Sequence, residues 1–180
     1  MKGIVFTELL ELIEEKFGFD TSDAVLAKAQ TSNGGAYTAV GAYDHKELLS
    51  IVSALSEETG VSAPILVKTF GEHLFTRFSQ LYPQFFEGVD DAFAFLSRVE
   101  SVIHVEVRKL YPGSELPSFE HRQEGDQLEM VYRSERPFAD LAEGLIAACC
   151  RHYEEESSIE REDHEDRTVF RVIRVGTRTP

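Results

Sequence analysis

The sequence predicts an α+β fold, in which a helical N-terminal lobe is followed by a four-stranded antiparallel sheet with a crossing helix. Apolar residues recur at helical spacing through about the first two thirds of the chain, and after Pro117 their period shortens from about 3.6 residues towards 2. Turn-forming residues at 124–126 and at 164–166 each separate two strand-like segments, which is typical of β-hairpins. The length of 180 residues favours a single domain.

The first three predicted helices are bounded by capping and turn residues. The first ends at Gly18, where glycine permits a helix stop. A cluster of capping residues opens a second helix over 21–30. Asp44 and Glu47 have the spacing of a capping box, which predicts a third helix that Gly60 closes.

Two longer helices complete the predicted helical lobe. Ser62 is a candidate cap for the fourth helix, which ends before Pro83. A long fifth helix is predicted from an Asp90 cap to Leu110, because the Pro-Gly pair at 112–113 prevents it from continuing.

The last third of the chain predicts two β-hairpins with one helix between them. Pro137 can open that helix, which is expected to run through Tyr153. The predicted strands span 118–123, 127–136, 154–163 and 168–175. Residues 176–180 are expected to be a frayed tail.

Composition excludes several classes of partner. The net charge of −14 argues against nucleic acids and anionic membranes, which both require a basic surface, and it favours a monomer through mutual repulsion. No apolar run approaches the roughly 18 residues of a membrane span.

Charged Lys2 leads directly into an acidic amphipathic helix, which is unlike a signal peptide, so a cytoplasmic location is predicted. The only cysteines, Cys149 and Cys150, are adjacent and do not form a disulfide framework.

A row of polar side chains is predicted along one face of the second strand. Side chains alternate between the two faces of a strand, so Tyr132, Ser134 and Arg136 continue the face that begins with Leu128 and Met130. Their donors form a line about 13 Å long at 3.3 Å per residue. Such a line suits a carboxylate or phosphate that is attached to an apolar group, although an ordinary amphipathic strand edge can show the same residues.

These residues follow a histidine in an order that resembles a known family. His104 precedes Leu110-Tyr111-Pro112, then Pro117, then Tyr132-x-Ser134-x-Arg136, and the chain opens with Met1-Lys2-Gly3-Ile4-Val5-Phe6. This order resembles the heme-nitric oxide/oxygen binding (H-NOX) family, which is related to the heme domains of soluble guanylate cyclase. The resemblance extends over most of the 180 residues.

The resemblance implies a heme b held between a distal lobe, at about 1–64, and a proximal lobe, at about 65–180. It makes His104 the axial ligand of the heme iron, which imidazole can bind in its neutral form. Pro117 matches a proline that presses on the ring and bends it. The partners that the resemblance gives to the heme propionates are Tyr132, Ser134 and Arg136. Along the helix, Val107 and Tyr111 extend the proximal wall.

The resemblance also implies an apolar distal pocket that prefers NO to O₂. Family members that bind O₂ place a tyrosine donor over the iron, and the matching position here is Leu141. A supporting polar position matches Leu74. The expected apolar residues around the heme are Val5, Leu9, Leu74, Phe78, Leu141 and Leu145. We therefore expect NO and CO to bind and O₂ to be rejected, unless His73 supplies a donor from its place beside Leu74.

Signalling is expected to follow from loss of the Fe–His104 bond when NO binds, after which the His104 helix and the distal lobe shift. Gly71 matches a family glycine that acts as a pivot, although close packing can also explain a glycine there. The chain contains no phosphate-binding loop, nucleophile elbow or HExxH motif, so it is not predicted to be an enzyme. Members without a fused output domain commonly act with a histidine kinase or a diguanylate cyclase.

Two other functions remain open at this stage. The Tyr132–Ser134–Arg136 row could hold the carboxylate of a fatty acid in an apolar carrier, or the domain could be an adaptor that has lost heme. A zinc site built from Cys149, Cys150, His152 and His164 is a less favoured possibility, since their spacing is not that of a known zinc motif.

Overall fold

The regular elements within the first 110 residues are helices, and a four-stranded antiparallel sheet with one inserted helix follows, as the sequence predicts. The computed structural model describes residues 1–175, so the expected tail at 176–180 lies outside the described residues. The helices are α1 (Gly3–Phe17), α2 (Phe19–Lys28), α3 (His45–Thr59), α4 (Ala63–Leu81), α5 (Ala92–Ser97), α6 (His104–Leu110) and α7 (Ala139–His152). The strands are β1 (Ser118–Glu124), β2 (Gln127–Arg133), β3 (Ser157–Asp163) and β4 (Thr168–Arg174).

Helix α2 begins two residues earlier than predicted. Gly18 has a φ of 87°, a conformation that favours glycine, and it is the single residue between the end of α1 and the start of α2. Helix α2 therefore starts directly at Phe19, and the Thr21 hydroxyl lies inside the helix and donates to the Phe17 carbonyl oxygen at 3.0 Å. The expected cap cluster is part of the helix and does not open it.

Only half of the predicted capping box forms at α3. The Asp44 carboxylate accepts a hydrogen bond from the Lys46 backbone N–H at 2.9 Å, which confirms Asp44 as the cap. The Glu47 carboxylate faces the preceding loop instead of the Asp44 backbone N–H. It accepts hydrogen bonds from the Ser32 hydroxyl at 2.7 Å and the Tyr37 hydroxyl at 2.8 Å. Glu47 therefore anchors this loop to the helix.

The long helix predicted over 90–110 is divided by a π-helical turn, Val99–Ile103, that lies directly before His104. The backbone N–H groups of Val102 and Ile103 both donate to the Arg98 carbonyl oxygen, at 2.9 and 3.2 Å, so the hydrogen-bond register shifts by one residue. The cap is Asp91 and not Asp90, since the Asp91 carboxylate accepts from the Ala94 backbone N–H. Such turns occur frequently at functional sites.

The sheet has the strand order β1-β2-β4-β3, and every neighbouring pair is antiparallel. Strand β2 ends at Arg133, three residues before the predicted end. Both neighbouring strands begin at this point, because Ser118 is the first residue of β1 and pairs with Arg133, and Thr168 is the first residue of β4 and pairs with Tyr132. Ser134 and Arg136 therefore lie in the loop that leads to α7, and the prediction of a continuous strand through Arg136 was wrong.

Two groups of buried apolar side chains form the core. One joins α1, α2 and α3 to the first half of α4, and the other joins the end of α4 to α5, α7 and the sheet. Helix α7 crosses α4 at Gly71, where an added Cβ would lie 2.3 Å from the Leu141 carbonyl oxygen. Helix α4 therefore contributes side chains to both groups. Among the described helices, none has the length and apolar character needed to cross a membrane.

Candidate functional site

A cavity of about 480 Å³ lies among α1, α4, α6, α7 and the sheet. Most of its lining consists of aliphatic and aromatic side chains, and a smaller set of polar groups faces it. Its volume falls within the range of roughly 300–1,000 Å³ that is usual for ligand pockets. The cavity can hold a large apolar ligand that carries a few polar groups.

His104 lies in the wall of this cavity at the start of α6 and is only 9 % exposed. Its Nδ1 lies 3.0 Å from the Glu100 carboxylate, which leaves Nε2 as the nitrogen available to a ligand. Burial lowers the pKa of His104, and its bond with Glu100 offsets only part of this effect. The imidazole is therefore neutral at neutral pH, which is the form that binds a metal.

The Glu100 carboxylate has three partners. Its Oε2 faces His104 and also accepts from the Phe119 backbone N–H at 3.2 Å, while its Oε1 accepts from the Arg108 guanidinium at 3.1 Å. Burial raises the pKa of Glu100, but the hydrogen bonds with His104 and Arg108 outweigh it and hold the pKa below its ordinary value. Glu100 is therefore ionised, and no pattern in the sequence had singled it out.

The three polar residues predicted to bind an anion all face the cavity, and we call Tyr132, Ser134 and Arg136 the anion clamp. Tyr132 is 5 % exposed on β2, and burial raises the pKa of its phenol, which therefore stays protonated and can donate. The Ser134 hydroxyl accepts from the Arg136 backbone N–H at 3.0 Å, which shapes the loop after the strand. The Arg136 guanidinium is paired with the Glu115 carboxylate. A ligand carboxylate at this edge would compete with Glu115 for the same donors.

Five of the six predicted apolar residues line the cavity. They are Val5, Leu74, Phe78, Leu141 and Leu145. The structure does not bring Leu9 to the cavity surface. Leu9 is 2 % exposed and packs in the core group that α1 shares with α4, because it lies on the core-facing stripe of α1.

His73, which could have supplied a polar donor, is held against α1. Its Nε2 lies 3.3 Å from the carboxylate of Glu8, which is 4 % exposed and also accepts from the Arg77 guanidinium at 2.7 Å. Neither His73 nor Glu8 belongs to the cavity lining. Glu8 therefore keeps the imidazole away from the apolar wall.

Pro117, Val107 and Tyr111 also line the cavity, as the sequence predicts. Two further lining residues, Lys2 and Tyr82, were not foreseen. The Lys2 ammonium lies 5.4 Å from the centre of the Tyr111 ring, and the hydroxyls of Tyr82 and Tyr111 are 3.1 Å apart. The opening Met1-Lys2-Gly3 was the only signal for Lys2, and the end of α4 carries no pattern that singles out Tyr82.

The donor set fits a heme. One neutral imidazole faces a large apolar cavity, and a phenol, a hydroxyl and a guanidinium face it from the anion clamp. A heme needs an axial base, partners for two carboxylates and an apolar slot for its ring, and these residues provide all three.

Comparisons with known proteins identify the family. Residues 2–161 match the model of the haem-NO-binding family. The unliganded Fe(II) H-NOX protein from K. algicida is 33 % identical with a TM-score of 0.93, and the match covers 99 % of each chain. No match was found among curated proteins.

Two further solved structures agree over nearly the whole chain. The H-NOX protein from Shewanella woodyi, solved in the Fe(II)CO state with IWP-051 bound, is 40 % identical with a TM-score of 0.85, and the match covers 100 % of this chain and 97 % of that one. The H-NOX protein from S. oneidensis in the Fe(II)NO state is 25 % identical with a TM-score of 0.90, over 98 % of this chain and 100 % of that one. The order of the site residues, the fold and the family match therefore lead to one conclusion: this chain belongs to the haem-NO-binding, or H-NOX, family, whose members bind heme.

Proposed function

We propose that this chain is a heme-based sensor that binds NO, and also CO, at ferrous heme, excludes O₂ and passes the signal to a separate enzyme. The observation that carries the proposal is that a buried, neutral His104 and an apolar distal wall share one cavity with the anion clamp. Heme b is the prosthetic group that this combination suits, and it supplies the iron to which the gas binds.

In this proposal the chain holds the heme through His104 Nε2 and the anion clamp. Tyr132 and Arg136 donate to the propionates, and each such charged hydrogen bond is worth roughly 1.5–3 kcal/mol. Arg136 must exchange its bond with Glu115 for one with a propionate, which is feasible because the Glu115 side chain is 79 % exposed and can turn into water. Pro117 lines the cavity and would contact the ring.

The distal wall gives the proposed preference for NO. A bound O₂ gains stabilisation from a hydrogen-bond donor above the iron, whereas bound NO gains little. Val5, Leu74, Phe78 and Leu141 present only carbon and hydrogen to the cavity, and Glu8 holds the His73 imidazole at α1. The wall therefore offers O₂ no compensating donor.

Transmission of the signal depends on movement between a distal lobe, about 1–64, and a proximal lobe, about 65–180. His104 would hold the heme iron from the start of α6, and NO would act by releasing α6 from the heme. Helix α4 packs against the distal helices through its first half and meets α7 backbone to backbone at Gly71, so α4 is the helix through which movement would pass between the lobes.

The chain itself is not proposed to catalyse a reaction. A histidine kinase or a diguanylate cyclase is the proposed partner, and the chain is proposed to act in the cytoplasm as a monomer. A net charge of −14 suits a partner with a basic face.

An absorption spectrum tests the proposal directly. The purified ferrous protein should show a Soret band. Exposure to air should not produce the spectrum of an oxy complex, and addition of NO should shift the band. A colourless protein that hemin cannot reconstitute would contradict it. Binding of a fluorescent fatty acid to that protein would then favour an apolar carrier, and its failure to bind would favour a heme-free adaptor.

A further inference from the structure

Glu100 lies in the π-helical turn that leads into α6, four residues before His104. One oxygen of its carboxylate is 3.0 Å from His104 Nδ1. Because Nε2 is the nitrogen available to iron, Nδ1 carries the proton and donates a hydrogen bond to Glu100. The carboxylate therefore stands directly behind the proposed axial ligand.

Two other groups hold this carboxylate in place. The backbone N–H of Phe119, at the start of β1, donates to the oxygen that faces His104, and the Arg108 guanidinium donates to the other oxygen. Glu100 is thus bound both to the sheet and to α6. A freely rotating surface glutamate would have neither constraint, and the Glu100 side chain is only 32 % exposed.

We infer that Glu100 is a positioning residue that sets the donor strength of His104 towards the heme iron. The inference rests on the proposed function, because it requires a heme bound at His104. A carboxylate that accepts the imidazole N–H fixes the orientation of the ring and makes the other nitrogen a stronger base. A stronger base binds iron more tightly and gives it more electron density.

Two consequences follow for the sensor. The Fe–His104 bond resists cleavage by NO more than it would without the carboxylate, so Glu100 sets the threshold of the response. The extra electron density and the negative charge also stabilise ferric over ferrous heme, which lowers the reduction potential. Both consequences act through His104, since Glu100 does not itself line the cavity.

A purely structural role for Glu100 makes a different prediction. In that case its bonds to Arg108 and to the Phe119 N–H would only tie α6 to β1, and removing the charge would alter stability without altering the properties of the iron. The two roles are therefore separated by spectroscopy and not by heme content alone.

The test uses Glu100→Gln and Glu100→Asp in the heme-loaded protein. Glutamine keeps the shape but removes the charge, and aspartate keeps the charge but is one methylene too short to reach Nδ1. Glu106→Gln is the matched control, because Glu106 lies on α6 and pairs only with Lys109 among its described contacts. The measurements are the Fe–His stretching frequency of the ferrous protein, the heme reduction potential and the rate of hemin loss to an excess acceptor.

Both Glu100 variants should shift the Fe–His stretch to lower frequency, raise the reduction potential and lose hemin about tenfold faster, while Glu106→Gln matches the wild type. If the Glu100 variants bind heme and keep the wild-type Fe–His stretching frequency and reduction potential, the inference is overturned and the proposed function still stands. A wild-type protein that binds no heme would overturn both.

Discussion

Gly71 on α4 and Gly144 on α7 lie in mutual contact, so that a Cβ added to Gly71 would lie 3.1 Å from the Gly144 Cα, and one added to Gly144 would lie 3.0 Å from the Gly71 Cα. The carbonyl oxygens of the opposite helix are closer still. A Cβ on Gly144 would be 2.0 Å from the Lys68 carbonyl oxygen. The two helices approach closely because neither carries a side chain at the crossing point.

Gly144→Ala should destabilise the protein. The new methyl group would meet backbone atoms that cannot turn aside, so α4 and α7 must separate, at a cost of about 1–3 kcal/mol in the free energy of unfolding. Urea denaturation measures this cost. Ala147→Ser, at a half-buried position of the same helix, is the control and should stay within about 0.5 kcal/mol. An unchanged midpoint for Gly144→Ala would show that the crossing is looser than its geometry implies.

His104→Gly should remove the proposed axial ligand of the heme iron, since glycine has no side chain to replace the imidazole. We expect the Fe–His stretch to disappear and free imidazole to restore it by occupying the vacated space. The exposed His121 on β1 provides the control, and His121→Ala should keep the wild-type spectrum. If NO-dependent coordination were unaltered in the glycine variant, His104 would not be the ligand.

Leu141→Tyr should give the ferrous protein measurable O₂ affinity, because it places a phenol donor in an apolar wall. The spectrum of the ferrous protein under air reports the result. Leu141→Phe adds a ring without the hydroxyl and should behave like the wild type towards O₂. An oxy complex in both variants would indicate that space, and not hydrogen bonding, controls the gas preference.

Glu143→Gln should lower stability at neutral pH and have less effect in acid. Burial raises the pKa of Glu143, but hydrogen bonds from Lys68 and Arg161 outweigh it, and the net pKa lies below the ordinary 4.5. A group whose pKa is depressed in the folded state adds stability above its unfolded pKa and loses that contribution as the pH falls through the folded value. The difference in the free energy of unfolding between wild type and variant should therefore be largest near neutral pH and shrink below the ordinary carboxyl pKa.

Urea denaturation at about pH 7 and about pH 3 measures this linkage. Glu120→Gln is a suitable control, because the Glu120 side chain is 73 % exposed even though it pairs with Arg133. If the difference in unfolding free energy between wild type and Glu143→Gln stayed constant with pH, the ionised state assigned to Glu143 would be contradicted.

The sequence alone determined the order of the elements, the antiparallel hairpins and the family, because these follow from local signals. Apolar periodicity, turn residues and caps act over a few neighbouring residues, and the spacing of His104, Pro117 and the anion clamp can be recognised without coordinates. The fold class and the family were both confirmed.

Tertiary contacts decided the details of the site. Strand β2 stops at Arg133 because the antiparallel strands on both sides begin there and offer no further partners, and Leu9 is buried in the core that α1 shares with α4. His73 turns towards Glu8, 65 positions away in the chain, and the carboxylate of Glu100 is fixed partly by a backbone N–H of β1. Each of these outcomes depends on which distant residue occupies the neighbouring space, and local pattern carries no information about that choice.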